Sequence, residues 1–149
     1  MQLPQDFREF IELLNSHNVR YVMIGGWAFN LHARPRVTGD IDFFLEISDE
    51  NQKAIRLVLI NFGFESTLPS ENIPILNPGK ILMMGVEPTR IDILTELSGV
   101  TFKEVWDDRL EANFFGLIVP IISKELLIKN KKASARLKDL ADIEQLEKI

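Results

Sequence analysis

Phe7, Phe10, Ile11 and Leu14 recur at i, i+3, i+4 and i+7, so the chain opens with a predicted helix over residues 5–16 that buries one stripe. Pro4 suits its first turn, where a missing N–H does no harm. Val19 to Ile24 then reads as a strand, and Gly25 and Gly26 permit a tight turn into a short helix from about Trp27 to His32, which Pro35 ends. The next strand runs from Ile41 to Ile47. Alternation puts Ile41, Phe43, Leu45 and Ile47 on one face of it and the carboxylates of Asp40 and Asp42 on the other. Asp49 is the expected cap of a helix reaching about Asn61, with Ile55, Val58, Leu59 and Phe62 as its apolar side and Gly63 at its C-terminal end.

Pro69, Pro74, Pro78 and Gly79 mark residues 68–79 as an irregular connection, long enough to fold over a site. Lys80 to Val86 and Thr89 to Thr95 predict a hairpin about Glu87 and Pro88. Its second strand directs Arg90, Asp92 and Leu94 to one face and Ile91 and Ile93 to the other. A short helix over 102–110, a last strand over 114–122, a helix capped by Ser123 that carries Glu125 to Lys131, and a final helix over about 136–148 complete the order. The expected architecture is α+β: a central mixed β-sheet flanked by helices, with C-terminal helices, in one domain over residues 1–149.

Composition narrows the chemistry. With 149 residues and 46% hydrophobic content the chain can bury a real core. A net charge of -5 argues against general polyanion binding, and a single Tyr offers no stacking surface for single-stranded nucleic acid. The absence of Cys excludes disulfides, thiolate nucleophiles and Cys-ligated metal centres. No run approaches the roughly 20 apolar residues that span a bilayer, so no membrane role is expected. Pro4, Gln5, Asp6 and Glu9 do not make a signal peptide, and a cytoplasmic setting is expected.

Asp40 and Asp42 side by side repel one another, which raises at least one pKa unless a cation neutralises them. Carboxylates together with substrate phosphates are the usual surroundings of Mg²⁺. Asp92, flanked by Ile91 and Ile93, is the candidate third carboxylate; the plainer reading pairs it with Arg90 on an exposed strand. The Gly pair is either a simple turn or a place where phosphate meets the free N–H groups of a helix start. If the two strands are neighbours, three acids converge on one site of the two-metal kind. Among the basic residues between Lys124 and Lys138, Lys129 and Arg136 are the candidates to meet a pyrophosphate, and Arg36 is a similar candidate before Thr38 and Asp40. Lys131 and Lys132 read instead as a solvated helical face. His17, His32 and Trp27 read as structural residues.

Gly25 and Gly26, the 13-residue spacer, Asp40-Ile41-Asp42-Phe43 and the later Asp92 together resemble the nucleotidyltransferase superfamily, the DNA polymerase β-like fold. The stretch from Arg36 through Thr38 to Asp42, and the run Lys129, Ala135, Arg136, Lys138, Asp139, Asp142, further resemble small bacterial nucleotidyltransferase-like proteins related to the toxin of the abortive-infection type IV toxin–antitoxin systems. The likeness extends from about Val19 to Leu146. It implies that Asp40 and Asp42 bind Mg²⁺, with Mn²⁺ as the substitute, and that Asp92 is the third ligand and the base. It implies that Gly25 and Gly26 hold the triphosphate of an NTP, with Arg36, Thr38, Lys129 and Arg136 also on the nucleotide side. The acceptor is left open between a small hydroxylated molecule, a tRNA end and a partner protein. Two other readings compete: a catalytically silent nucleotide-binding or interaction protein of a toxin–antitoxin-like pair, and a metal-dependent nuclease, which leaves the Gly pair unexplained.

Overall fold

The structure is a computed structural model that describes residues 2–148. Helix α1 (Gln5–Ser16) and strand β1 (Tyr21–Ile24) lead directly into α2 (Gly25–His32), so both glycines belong to the helix. Strand β2 (Asp40–Leu45) is followed by α3 (Asp49–Leu59), whose cap is Ser48 and not Asp49: the Ser48 hydroxyl accepts from the Asn51 N–H at 3.1 Å. The hairpin of β3 (Leu82–Met84) and β4 (Arg90–Leu94) forms as its alternation requires. Helix α4 (Phe102–Asp107) ends earlier than its apolar content suggests. Residues 114–122 are not one strand. Phe115 and Gly116, with φ of 53 and 88, turn the chain back on itself, so that β5 (Leu110–Phe114) and β6 (Leu117–Ile121) form a second hairpin. Helices α5 (Lys124–Ser134) and α6 (Leu137–Glu147) close the fold.

The six strands form a mixed sheet in the order β3-β4-β2-β1-β6-β5. Both faces are covered. On one, Phe7, Phe10, Ile11 and Leu14 of α1 and Ile55, Val58 and Leu59 of α3 pack on Tyr21, Met23, Ile41, Phe43, Ile91 and Ile93. On the other, Ala28 and Phe29, Val105, Leu127 and Leu146 bring α2, α4, α5 and α6 onto Val22, Ile24 and Phe44. Each large side chain removed from water in this way contributes roughly 2–3 kcal/mol before entropy is counted. Phe44 alternates with Phe43, which is why β2 is buried on both sides toward its end while Asp40 and Asp42 remain at its open beginning.

The proline-rich connection does not cover the carboxylates. Gln52 of α3 accepts from the N–H groups of Ile75 and Leu76 at 3.0 and 2.9 Å, and Arg56 donates to the carbonyls of Pro69, Ser70 and Ile73. With Leu76 buried against α3, the segment is fastened to the sheet face opposite the acids. The hollow of about 430 Å³ beneath it, lined by Gln52, Arg56 and Ile73, holds none of the three aspartates. Among the described residues no helix is long and apolar enough to cross a membrane.

Candidate active site

Strands β2 and β4 run parallel in the register Asp42↔Asp92, with Asp40 opposite Arg90, so alternation puts all four side chains on one face. Asp40, Asp42 and Asp92 each offer a carboxylate oxygen within 4.8 Å of the others. Arg90 is shared between two of them. Its Nη2 donates to Asp40 Oδ2 at 2.6 Å, while Nε and Nη2 reach Asp92 Oδ1 and Oδ2 at 3.0 and 3.1 Å. The pairing of Asp92 with Arg90 and its convergence with Asp40 and Asp42 therefore coexist. Asp42 has no ion pair among the described residues: burial, then the charges of Asp40 and Asp92, push its pKa up to about 8. A cluster of oxygen-only donors, one of which gives up its proton reluctantly, fits a hard divalent cation that would supply the missing charge.

Beside the acids stands the start of α2. Its N-cap is Ile24, whose side chain has no acceptor to offer, and among the described residues no side-chain hydrogen bond caps this end. The antiparallel register Ile24↔Asp42 brings Gly25 against Asp42: a Cβ on Gly25 would lie 2.2 Å from Asp42 Oδ2, and the residue has φ of +72. A Cβ on Gly26 would lie 2.7 Å from Thr38 Oγ1. The two glycines thus make room for this chain's own carboxylate and threonine at the start of α2.

These groups line a cleft of about 300 Å³ whose far wall is α5 and α6. Arg36, Thr38 and Arg136 line it as the sequence suggests, together with Lys131 and Lys138. Lys129 does not. It projects to the other side of α5 and donates to Glu104 Oε2 at 2.9 Å, outside the cleft. Lys131, read from sequence as part of a solvated face, is buried and donates to Asp142 Oδ2 at 2.8 Å. Its position four residues after the buried Leu127, on the same stripe of the helix, was the available signal.

Asp139 and Asp142 organise these cations. Asp142 receives Lys131 and both terminal nitrogens of Arg36, and the Arg36 guanidinium lies over the Phe29 ring at 4.3 Å. Asp139 accepts from Arg136 Nε at 2.8 Å, Ser134 Oγ at 2.9 Å and the Arg136 N–H at 3.1 Å. Burial works against its ionisation, but these hydrogen bonds prevail and hold its pKa at about 2. Asn30 fixes Arg36 from the other side, exchanging two hydrogen bonds with its backbone. His32 is structural, its Nε2 2.7 Å from the Ile122 carbonyl, and Trp27 packs against Phe7, Phe114 and Phe115.

A mixed sheet presenting three acids from parallel neighbours, next to a glycine-started helix and facing a basic wall, defines a nucleotidyltransferase fold. The chain belongs to the family described as nucleotidyltransferase of unknown function, DUF6036, whose sequence model matches residues 2–148. No functionally curated protein matches significantly. Solved structures share the fold. The lincosamide antibiotic adenylyltransferase LnuA, in its lincomycin-bound form, is 17% identical with a TM-score of 0.57, over 97% of this chain and 96% of its own. ANT(2'')-Ia in complex with adenylyl-2''-tobramycin is 14% identical with a TM-score of 0.57, over 94% and 84%. TM1012 of Thermotoga maritima is 18% identical with a TM-score of 0.56, over 95% and 88%.

Proposed function

We propose that this chain is a Mg²⁺-dependent nucleotidyltransferase that moves a nucleoside monophosphate from an NTP to an acceptor hydroxyl. The observation that carries this reading is the convergence of Asp40, Asp42 and Asp92 on the floor of a cleft whose opposite wall is basic. Asp40 and Asp42 would hold the cation, with Asp92 as third ligand; Mn²⁺ suits the same oxygen donors. The bound cation supplies charge neutralisation at the phosphates and activation of the attacking oxygen.

In this reading Gly25 and Gly26 offer backbone N–H groups to the triphosphate, flanked by Thr38 and Arg36. Lys131, Arg136 and Lys138 face the pyrophosphate and stabilise the charge that grows on it. Asp92 takes the proton of the acceptor hydroxyl. The hydroxyl oxygen bonds to the α-phosphorus as the bond to the bridging oxygen breaks, and pyrophosphate leaves with the electron pair. Lys129, held by Glu104, stands outside this set. The likeness to LnuA and ANT(2'')-Ia favours a small hydroxylated acceptor over a tRNA end or a protein. The cytoplasm, with its supply of NTP and Mg²⁺, is the proposed setting.

One observation favours a second reading. Arg90 already pairs with both Asp40 and Asp92 and offsets part of their charge, as expected of a silent nucleotide-binding or interaction protein of the toxin–antitoxin kind, to which the resemblance of the C-terminal run also leads. Incubation of purified protein with α-labelled NTPs, Mg²⁺ and a cell extract separates the two. The transferase reading expects label on an acceptor and its loss in Asp40→Asn. Nucleotide-dependent stabilisation with no transfer supports the silent reading, and a melting temperature indifferent to Mg²⁺ and every NTP removes the transferase reading.

A further inference from the structure

The strand order β3-β4-β2-β1 places the parts of the proposed reaction in one line across the sheet. The phosphate end, at Gly25 and Gly26, follows β1; Asp40 and Asp42 stand on β2; Asp92 stands on β4. An in-line displacement needs the attacking and leaving oxygens on opposite sides of the phosphorus. If pyrophosphate leaves toward α2, the acceptor arrives from beyond Asp92, over β3. This argument rests on the nucleotidyl-transfer reading above.

The surface there is apolar. Met83 is the register partner of Asp92, so its side chain stands on the catalytic face, and Ile81, just before the strand, lines the cleft on the same side. They are 60% and 54% exposed. Leu82 and Met84, on the other face, already anchor β3 to the core, so the strand does not need Ile81 or Met83 for folding. A hollow of about 310 Å³ continues from the catalytic cleft and shares Ile81 with it. Its charged lining residues are one of each sign, Lys80 and Glu96. The nearby Glu87 is 3.6 Å from Arg90. The cations that line the cleft come from α5, α6 and the segment before β2, where the NTP would lie.

We propose that the acceptor is a neutral, hydroxyl-bearing small molecule that lays an apolar ring or chain on Ile81 and Met83. With Arg90 held by Asp40 and Asp92, the charges left on this shelf are Lys80, Glu87 and Glu96, so a polycationic amino sugar finds a single carboxylate in excess and a polyanion finds no surplus of cations.

The methyl resonances of the 4 methionines, with Met83 assigned by its loss in Met83→Leu, provide the test. Phenyl β-D-glucoside and 2-naphthyl β-D-glucoside are titrated as neutral probes, neamine as a polycation and decaadenylate as a polyanion. The expected result is a saturable shift of the Met83 methyl with the neutral glycosides, tighter for naphthyl, and about tenfold weaker in Ile81→Ser as apolar contact is lost. Because Ile81 is half exposed, that variant keeps its fold, which the unchanged signals of the other methionines verify. No shift with either glycoside, or saturation at lower concentration by neamine or decaadenylate, overturns the proposal. A melting temperature indifferent to Mg²⁺ with each of the four NTPs sinks the transferase reading and this acceptor with it. A raised melting temperature with a motionless Met83 methyl sinks the acceptor assignment alone.

Discussion

Asp42 is the residue on which the site turns. Its pKa of about 8 means that the folded protein keeps a proton which the unfolded chain, with an ordinary value of 3.8, has already lost. Stability therefore falls as pH rises from about 4 to about 8, the native state being the one that binds the extra proton. Burial drives the effect and the charges of Asp40 and Asp92 add to it, so Asp42→Asn should flatten this part of the melting-temperature profile without lowering it. The proposed Mg²⁺ site predicts that the ion raises the melting temperature of the wild type and not that of the same variant, which thermal melts at pH 5 and pH 8 with and without the ion would show. Gly25 is coupled to the same carboxylate. Gly25→Ala adds a Cβ 2.2 Å from Asp42 Oδ2 at a positive φ, and should destabilise by more than about 1 kcal/mol in denaturant titration while displacing Asp42 and weakening Mg²⁺ binding.

At the scale of elements, α6 serves the cleft through Asp139 and Asp142, three residues apart on one buried face. Asp139 joins the helix to α5 through Ser134, and Asp142 joins it to Lys131 and, across the cleft, to Arg36. Asp139 is fully buried, but its close cation Arg136 is largely exposed and the buried Lys131, 3.7 Å away, keeps Asp142, so the cost of losing its charge lies mainly in its hydrogen bonds. Asp139→Asn should lower stability by on the order of 1–2 kcal/mol in urea unfolding at neutral pH. The wild type has its own acid signature. A folded pKa near 2, below the unfolded 3.8, gives stability that is present above about pH 4 and lost as pH falls toward 2. Asp139→Asn should remove that part of the acid transition, and an acid titration followed by circular dichroism checks it.

At the scale of the whole molecule, the sheet order brings Gly25, Asp40, Asp42 and Asp92 onto neighbouring strands, in the line that the proposed reaction would use from phosphate to metal to base to acceptor. Much of this was legible along the chain. The helical stripe of Phe7, Phe10, Ile11 and Leu14 and the alternation in Asp40–Leu45 and Arg90–Leu94 are local patterns with local causes, and they placed the elements and the three acids on predictable faces. Less legible was whatever depended on a distant partner. Residues 114–122 are apolar enough for one strand, but pairing of β5 with β6 around Phe115 and Gly116 makes a hairpin of that region. Lys129 and Lys131 are indistinguishable as isolated cations; only the packing of α5 sends one to Glu104 and the other into the cleft.

The sequence by itself determined the α+β element order, the pairing of Asp40 with Asp42 on one strand face and the glycine start of α2, because each depends on residues within a few positions of one another. The tertiary structure alone decided that β4 lies beside β2 in the register that brings Asp92 to Asp42, that Arg90 bridges Asp40 and Asp92, and that Asp142 gathers Arg36 and Lys131. Those contacts join residues 50 to 106 positions apart in most cases, and their energies depend on burial and strand register, which no short stretch of chain specifies.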